Sequence, residues 1–223
     1  MGASNTESAI RREADRPDSR RTVVLRWGLG GLVAAPFAVL PHELGHYLVL
    51  LGLGVPDLAL HYSTVTWGLQ EYWVAIQRED FDAAAAVAPI WGVTLADAIG
   101  PLITYAVVAA CCYGCARWRP QPALVAVAFL AQARIAVGVR HVARKALGVE
   151  RPTNYDELRV AIVTGIPVEV FVVFGLVVLF VSGLWLARCF PRGQRVAAVA
   201  SMTGGMAASL FLYANVVGPW LLP

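Results

Sequence analysis

Apolar residues gather into five long blocks, at roughly 22–53, 84–116, 121–142, 157–187 and 194–222, and polar positions cluster between them. Each block reaches or exceeds the ~20 residues that a helix needs to cross a bilayer. The pattern predicts an all-α integral membrane protein with about five transmembrane helices, within a range of four to six. Pro41 inside the first block predicts a kink there. Residues 1–21 are polar and Arg-rich (Arg11, Arg12, Arg16, Arg20, Arg21) and predict a disordered basic tail. No small-residue cleavage signal precedes Pro41, so the first span is read as retained. Residues 22–223 then form a single polytopic membrane domain.

The stretch from Leu58 to Ile76 has a different texture. It is rich in β-branched and aromatic residues with partial alternation. It reads either as a short β-hairpin or strand at the membrane surface, between the first and second spans, or as an interfacial loop around Trp67, Tyr72 and Trp73.

Composition narrows the class. The chain of 223 residues is 58% hydrophobic and only 15% charged, which excludes an ordinary soluble domain. Its net charge is +3, and Lys and Arg sit mostly at segment ends. They speak for orientation in a lipid bilayer rather than for binding nucleic acid. The basic tail predicts a cytoplasmic N-terminus, and Arg117, Arg119, Arg188, Arg192 and Arg195 then fall on the same side. The 54–83 loop falls outside with Arg78 against Glu71, Glu79, Asp80 and Asp82. Residues 140–156 break this rule with Arg140, Arg144, Lys145 and Arg151: either the topology differs there, or those cations have local roles such as pairing with carboxylates. Cys111, Cys112 and Cys115 lie within a span and Cys189 at the end of another, so they read as small thiols packed between helices.

Chemistry enters at His42-Glu43-Leu44-Gly45-His46, near the end of the first block. On a helix this H-E-x-x-H spacing puts two imidazoles one turn apart on one face. Both can bind one Zn²⁺, with Glu43 beside the metal as general base. Ionisable groups inside hydrocarbon are costly and mark function.

Catalytic zinc takes a third protein ligand. Asp156 and Glu157 stand at the start of the fourth block, where helix capping with Asn154 is the competing explanation. With five spans, the end of the first and the start of the fourth share a membrane face, so His46 can meet Asp156. Asp97, in the second block, is the next candidate, with pairing to Arg134 or Arg140 as its alternative. Arg134 and Gln132 read as buried polar partners or groups near a substrate path. His61 and His141 read as interfacial or paired histidines.

These residues resemble the site-2 protease family of intramembrane zinc metalloproteases. The matching pieces are His42-Glu43-Leu44-Gly45-His46, Gly100-Pro101-Leu102, and Asn154-Tyr155-Asp156 at the start of a later span. The resemblance implies Asp156 rather than Glu157 as third ligand, Zn²⁺ as cofactor, and a membrane-spanning protein, already trimmed by another protease, as substrate. Glu157 stands where the family often has Gly, and Thr104 where Asn is common. The chain leaves no length for the PDZ domain that many members carry. The resemblance is therefore to a minimal, divergent branch.

The expected activity is hydrolysis of a peptide bond in or near a membrane-spanning segment. A helical substrate must unwind first, and a strand edge within 58–76 would hold it extended. The alternatives are a catalytically inactive relative acting as a binding or regulatory module, and a membrane zinc enzyme with a non-peptide substrate.

Overall fold

The structure is a computed structural model that describes residues 19–68, 70–118, 121–149 and 155–222. Helices α1 (Arg20–Leu32) and α2 (Ala34–Gly52) lead to a hairpin of β1 (Ala59–Leu60) and β2 (Val65–Thr66). Short helices α3 (Gln70–Gln77) and α4 (Phe81–Val87) precede the long α5 (Ile90–Arg117). Next come α6 (Pro122–Ala131), a 3₁₀ turn (Gln132–Arg134) and α7 (Ile135–Ala146). The chain ends with α8 (Asp156–Thr164), α9 (Val168–Leu186), α10 (Arg195–Leu212) and α11 (Gly218–Leu221). Five helical segments are long and apolar enough to cross a membrane: Arg20–Gly52, Ile90–Arg117, Pro122–Ala146, Val168–Cys189 and Arg195–Leu221. This is the build of a multi-pass, all-α membrane protein.

The first span is two helices, interrupted ahead of Pro41. Pro41 lies within α2, which runs on through it, and the interruption is at Val33. Pro36 accounts for it. Without an N–H, Pro36 cannot bond the Leu32 carbonyl, so the ladder restarts one residue later. The restart exposes N–H groups in an apolar setting, and Ala35 N–H donates to Ser209 Oγ of α10 at 2.9 Å. Helix α10 packs most extensively on α1. Their backbones meet so closely that a Cβ on Gly205 would lie 3.0 Å from Leu32 N. The main core gathers Val23, Trp27, Ala34, Ala35, Val125, Leu186 and Met202, with Trp27 stacked on Phe190 at 4.5 Å between ring centroids. Cys111 and Cys115 are buried in this core as free thiols.

Three other segments match the sequence pattern only in part. The segment 58–76 divides: Ala59↔Thr66 and Leu60↔Val65 pair as an antiparallel hairpin of two residues per strand, while Gln70–Gln77 is helical. Trp67, Tyr72 and Trp73 interlock with centroids 5.0–6.1 Å apart, so aromatic packing replaces a longer ladder. The second block begins later than expected. Residues 81–87 form a separate helix capped by Asp80, whose carboxylate accepts from Ala83 N at 3.0 Å, and Pro89 starts α5 afresh. The fourth block is also split. Gly165 takes a left-handed conformation (φ 71°) and Pro167 follows, which ends α8 before α9 begins. Asp156 thus stands on a short helix leading into the fourth span.

At the N-terminal end, Ser19 Oγ accepts from Thr22 N at 3.2 Å and caps α1 at Arg20. The rest of the expected disordered tail, residues 1–18, lies outside the described residues, as do Asn154, Arg119 and Arg151. Of the 140–156 cations, Lys145 pairs with Glu169 at 2.6 Å.

Candidate metal centre

Helix α2 places His42 and His46 one turn apart on the face packed against α5. Both rings are buried, at 2% and 7% exposure. Gly100 of α5 makes room for them. A Cβ there would sit 2.8 Å from His42 Cε1 and run into the His46 ring. The Gly-Pro segment of α5 therefore supplies space at the site.

Each ring is held at Nδ1, which directs Nε2 inward. His46 Nδ1–H donates to the Ala96 carbonyl at 2.6 Å, and His42 Nδ1 shares a hydrogen bond with Thr104 Oγ1 at 2.9 Å. The two Nε2 atoms are 3.0 Å apart. Asp156, at the first position of α8, brings Oδ2 to 3.0 Å from His42 Nε2 and 3.3 Å from His46 Nε2. Tetrahedral zinc with ligands at ~2.0–2.1 Å sets its donor atoms about 3.3–3.4 Å apart, so this donor triangle is close to the size the ion needs. Among the described residues, His42, His46 and Asp156 form a buried group able to hold a metal ion. Two imidazoles oriented through Nδ1 and one carboxylate fit Zn²⁺ chemically.

The other candidates separate from this group. Glu43 follows His42 on α2 and points its Oε1 to Arg134 Nη1, at 3.0 Å. Arg134 Nη2 reaches Asp156 Oδ2 at 2.9 Å, so the guanidinium bridges the two acids. Asp97 is buried but pairs with Arg159, rather than with Arg134 or Arg140, at 2.7 Å. Glu157 stands outside the group of three: it lines a small cavity with His42, Thr104 and Arg134, and an apolar cavity of about 300 Å³ between α5, α8 and α9. Gln132 donates to the Ala128 carbonyl and accepts from Ser182 Oγ, which makes it a buried polar tie. His61 Nε2 and Thr66 Oγ1 are 2.9 Å apart within the hairpin, and His141 packs edge-on to Tyr155.

Arg159 is the important residue that sequence reading missed. Its Nη2 lies 2.6 Å from Asp156 Oδ1. The available signal was the i, i+3 spacing of the two residues on one helix. The Asp156 carboxyl is held well below its ordinary value. Burial pushes it upward, but hydrogen bonds with His42 and His46 and the Arg134 charge outweigh that.

A polar cavity of about 380 Å³ opens beside the group. Glu43, His46 and Asp156 stand on one wall, Asp97, Arg134 and Arg159 add charge, and Ser63, Thr64 and Val65 of the hairpin form another. Comparison with known proteins adds no relative: no family model, curated protein or solved structure matches the chain.

Proposed function

We propose that the chain is an intramembrane zinc metalloprotease. It hydrolyses a peptide bond in or near a membrane-spanning segment, with His42, His46 and Asp156 as zinc ligands and Glu43 as general base. What carries the reading is the convergence of two Nε2 atoms and one carboxylate oxygen within 3.3 Å, beside Glu43, on the wall of a polar cavity. Zinc bound there by His42, His46 and Asp156 would supply Lewis-acid chemistry, lowering the pKa of a water toward neutrality and polarising a carbonyl. Glu43 then accepts the proton of the attacking water and returns it to the leaving amine. Arg134, bridging Glu43 and Asp156, sets a positive charge beside the group, of the sign that would stabilise negative charge developing on a substrate oxygen. The hairpin wall favours a peptide substrate, since an extended segment can lie beside Ser63–Val65 and reach the histidines.

One observation favours a second reading, a non-catalytic binding or regulatory module: Glu43 Oε1 is engaged by Arg134. The full chain purified in detergent separates the two. The protease reading expects one zinc per chain by elemental analysis, which also distinguishes zinc from the iron that the same donor set can hold. It expects zinc to weaken or vanish in His46→Ala and Asp156→Ala. Glu43→Gln should keep zinc, lose cleavage, and trap a membrane-protein substrate that co-purifies. Zinc held by Asp156→Ala as tightly as by wild type overturns the ligand set. Cleavage by Glu43→Gln at the wild-type rate overturns the base.

A further inference from the structure

Arg159 lies one turn beyond Asp156 on α8. Its Nε and Nη2 reach Asp97 Oδ1 at 2.9 and 2.7 Å, and Nη2 also reaches Asp156 Oδ1 at 2.6 Å. The guanidinium lies over the Trp73 ring, 4.5 Å from its centroid. The side chain is 19% exposed, against 7% for Asp97 and 6% for Asp156. Two acids in its plane and an indole on its face, from α5, α8 and α3, therefore fix this cation. Such burial is costly for a guanidinium unless it is paired and hydrogen-bonded, and here it is both.

The two oxygens of Asp156 have different partners. Oδ2 faces the two Nε2 atoms and takes Arg134, while Oδ1 takes Arg159. A carboxylate can bind a cation through one oxygen or through both. A hydrolytic zinc site needs its fourth position open, and a second Asp156 oxygen would fill it. We propose that Arg159 is a positioning residue of the metal centre. Anchored by Asp97 and Trp73, it holds Asp156 Oδ1 aside, so that Oδ2 alone serves the ion and the remaining position stays accessible to water. The inference rests on the metal-centre reading above. A guanidinium that only balanced buried charge would matter for folding and leave the coordination number unchanged.

The test uses the full chain in detergent loaded with Co²⁺ as the probe. Its visible absorption is intense when four-coordinate and weaker when a fifth ligand joins. The wild type is expected to show the intense spectrum. Arg159→Gln is expected to bind one equivalent of Co²⁺ and lose intensity. Arg159→Lys, which can still donate to Oδ1, is expected to restore part of it. Trp73→Leu, which loosens the anchor without touching either acid, is expected to move the spectrum in the direction of Arg159→Gln by a smaller amount. An unchanged spectrum in fully loaded Arg159→Gln overturns the proposal. Should that variant fail to fold, an unchanged spectrum in both Arg159→Lys and Trp73→Leu overturns it instead. A wild type that binds no Co²⁺ removes the metal-centre reading itself and the proposal with it. Bound Co²⁺ insensitive to these substitutions removes only the positioning role.

Discussion

Thr104 Oγ1 lies 2.9 Å from His42 Nδ1, which leaves the opposite ring nitrogen, Nε2, to face Asp156. The hydroxyl thus holds the ring in the orientation that a metal ligand needs. Thr104→Val keeps the shape and removes the hydrogen bond, and is expected to weaken zinc affinity by about 10–100-fold. Thr104→Ser should retain most of the affinity. A chelator competition titration on detergent-purified protein measures both.

Gly100 is required for the approach of α5 to the rings. Gly100→Ala forces the new Cβ against His42 and His46. We expect a stability loss of about 1–3 kcal/mol from overpacking, together with impaired zinc binding. Gly204 of α10 has open space around its Cβ position and serves as the control. Gly204→Ala should be neutral or stabilising by about 0.5–1 kcal/mol, as for a helix-interior glycine. Thermal unfolding with and without zinc distinguishes the two substitutions.

Asp156 gives the metal-free protein a defined acid sensitivity. Its folded-state carboxyl is depressed below the ordinary value of 3.8, so the ionised form is favoured by folding. That contribution is fully present above the unfolded value and disappears as pH falls through the lower, folded one. The melting-temperature gap between wild type and Asp156→Asn, both stripped of metal, should narrow as pH falls below about 4. A gap that widens on acidification below about pH 4 contradicts this assignment.

Arg134 bridges two acids with a side chain that is 42% exposed. Arg134→Gln leaves Glu43 and Asp156 without that cation. The metal-free protein should lose about 1–3 kcal/mol, less than for a fully buried pair because water reaches the guanidinium. A metal ion held by the group would supply positive charge at the same place, so the loss should be smaller in protein loaded with zinc. Unfolding of both forms in parallel checks this difference.

The spans and the histidine pair could be read from the chain because each has a period. Long apolar runs mark bilayer-crossing helices, and the i, i+4 spacing of His42 and His46 brings their rings together on a helix. Asp156 was reachable only by adding a topological argument and a family resemblance to that spacing. The helix breaks were punctuated in the sequence at Pro36, Pro89 and Gly165-Ile166-Pro167, but hydrophobic continuity concealed them. Asp97 reads from the sequence as the next ligand candidate, with Arg134 or Arg140 of the third span as its alternative partner. Its actual partner, Arg159, arrives on α8, a helix that becomes distinct only once Gly165 ends it. The Trp67–Tyr72–Trp73 cluster shows the limit of β propensity, because packing between rings decided the local structure there.

The bond from Ala35 N–H to Ser209 Oγ gives the last span a duty that its composition conceals. Helix α10 contributes no donor to the metal group, yet it completes the start of the helix that carries both imidazoles. A chain cut short before Ser209 would keep His42, His46 and Asp156 and leave their scaffold unfinished at its root. Any smaller version of this protein must therefore retain its C-terminal helix.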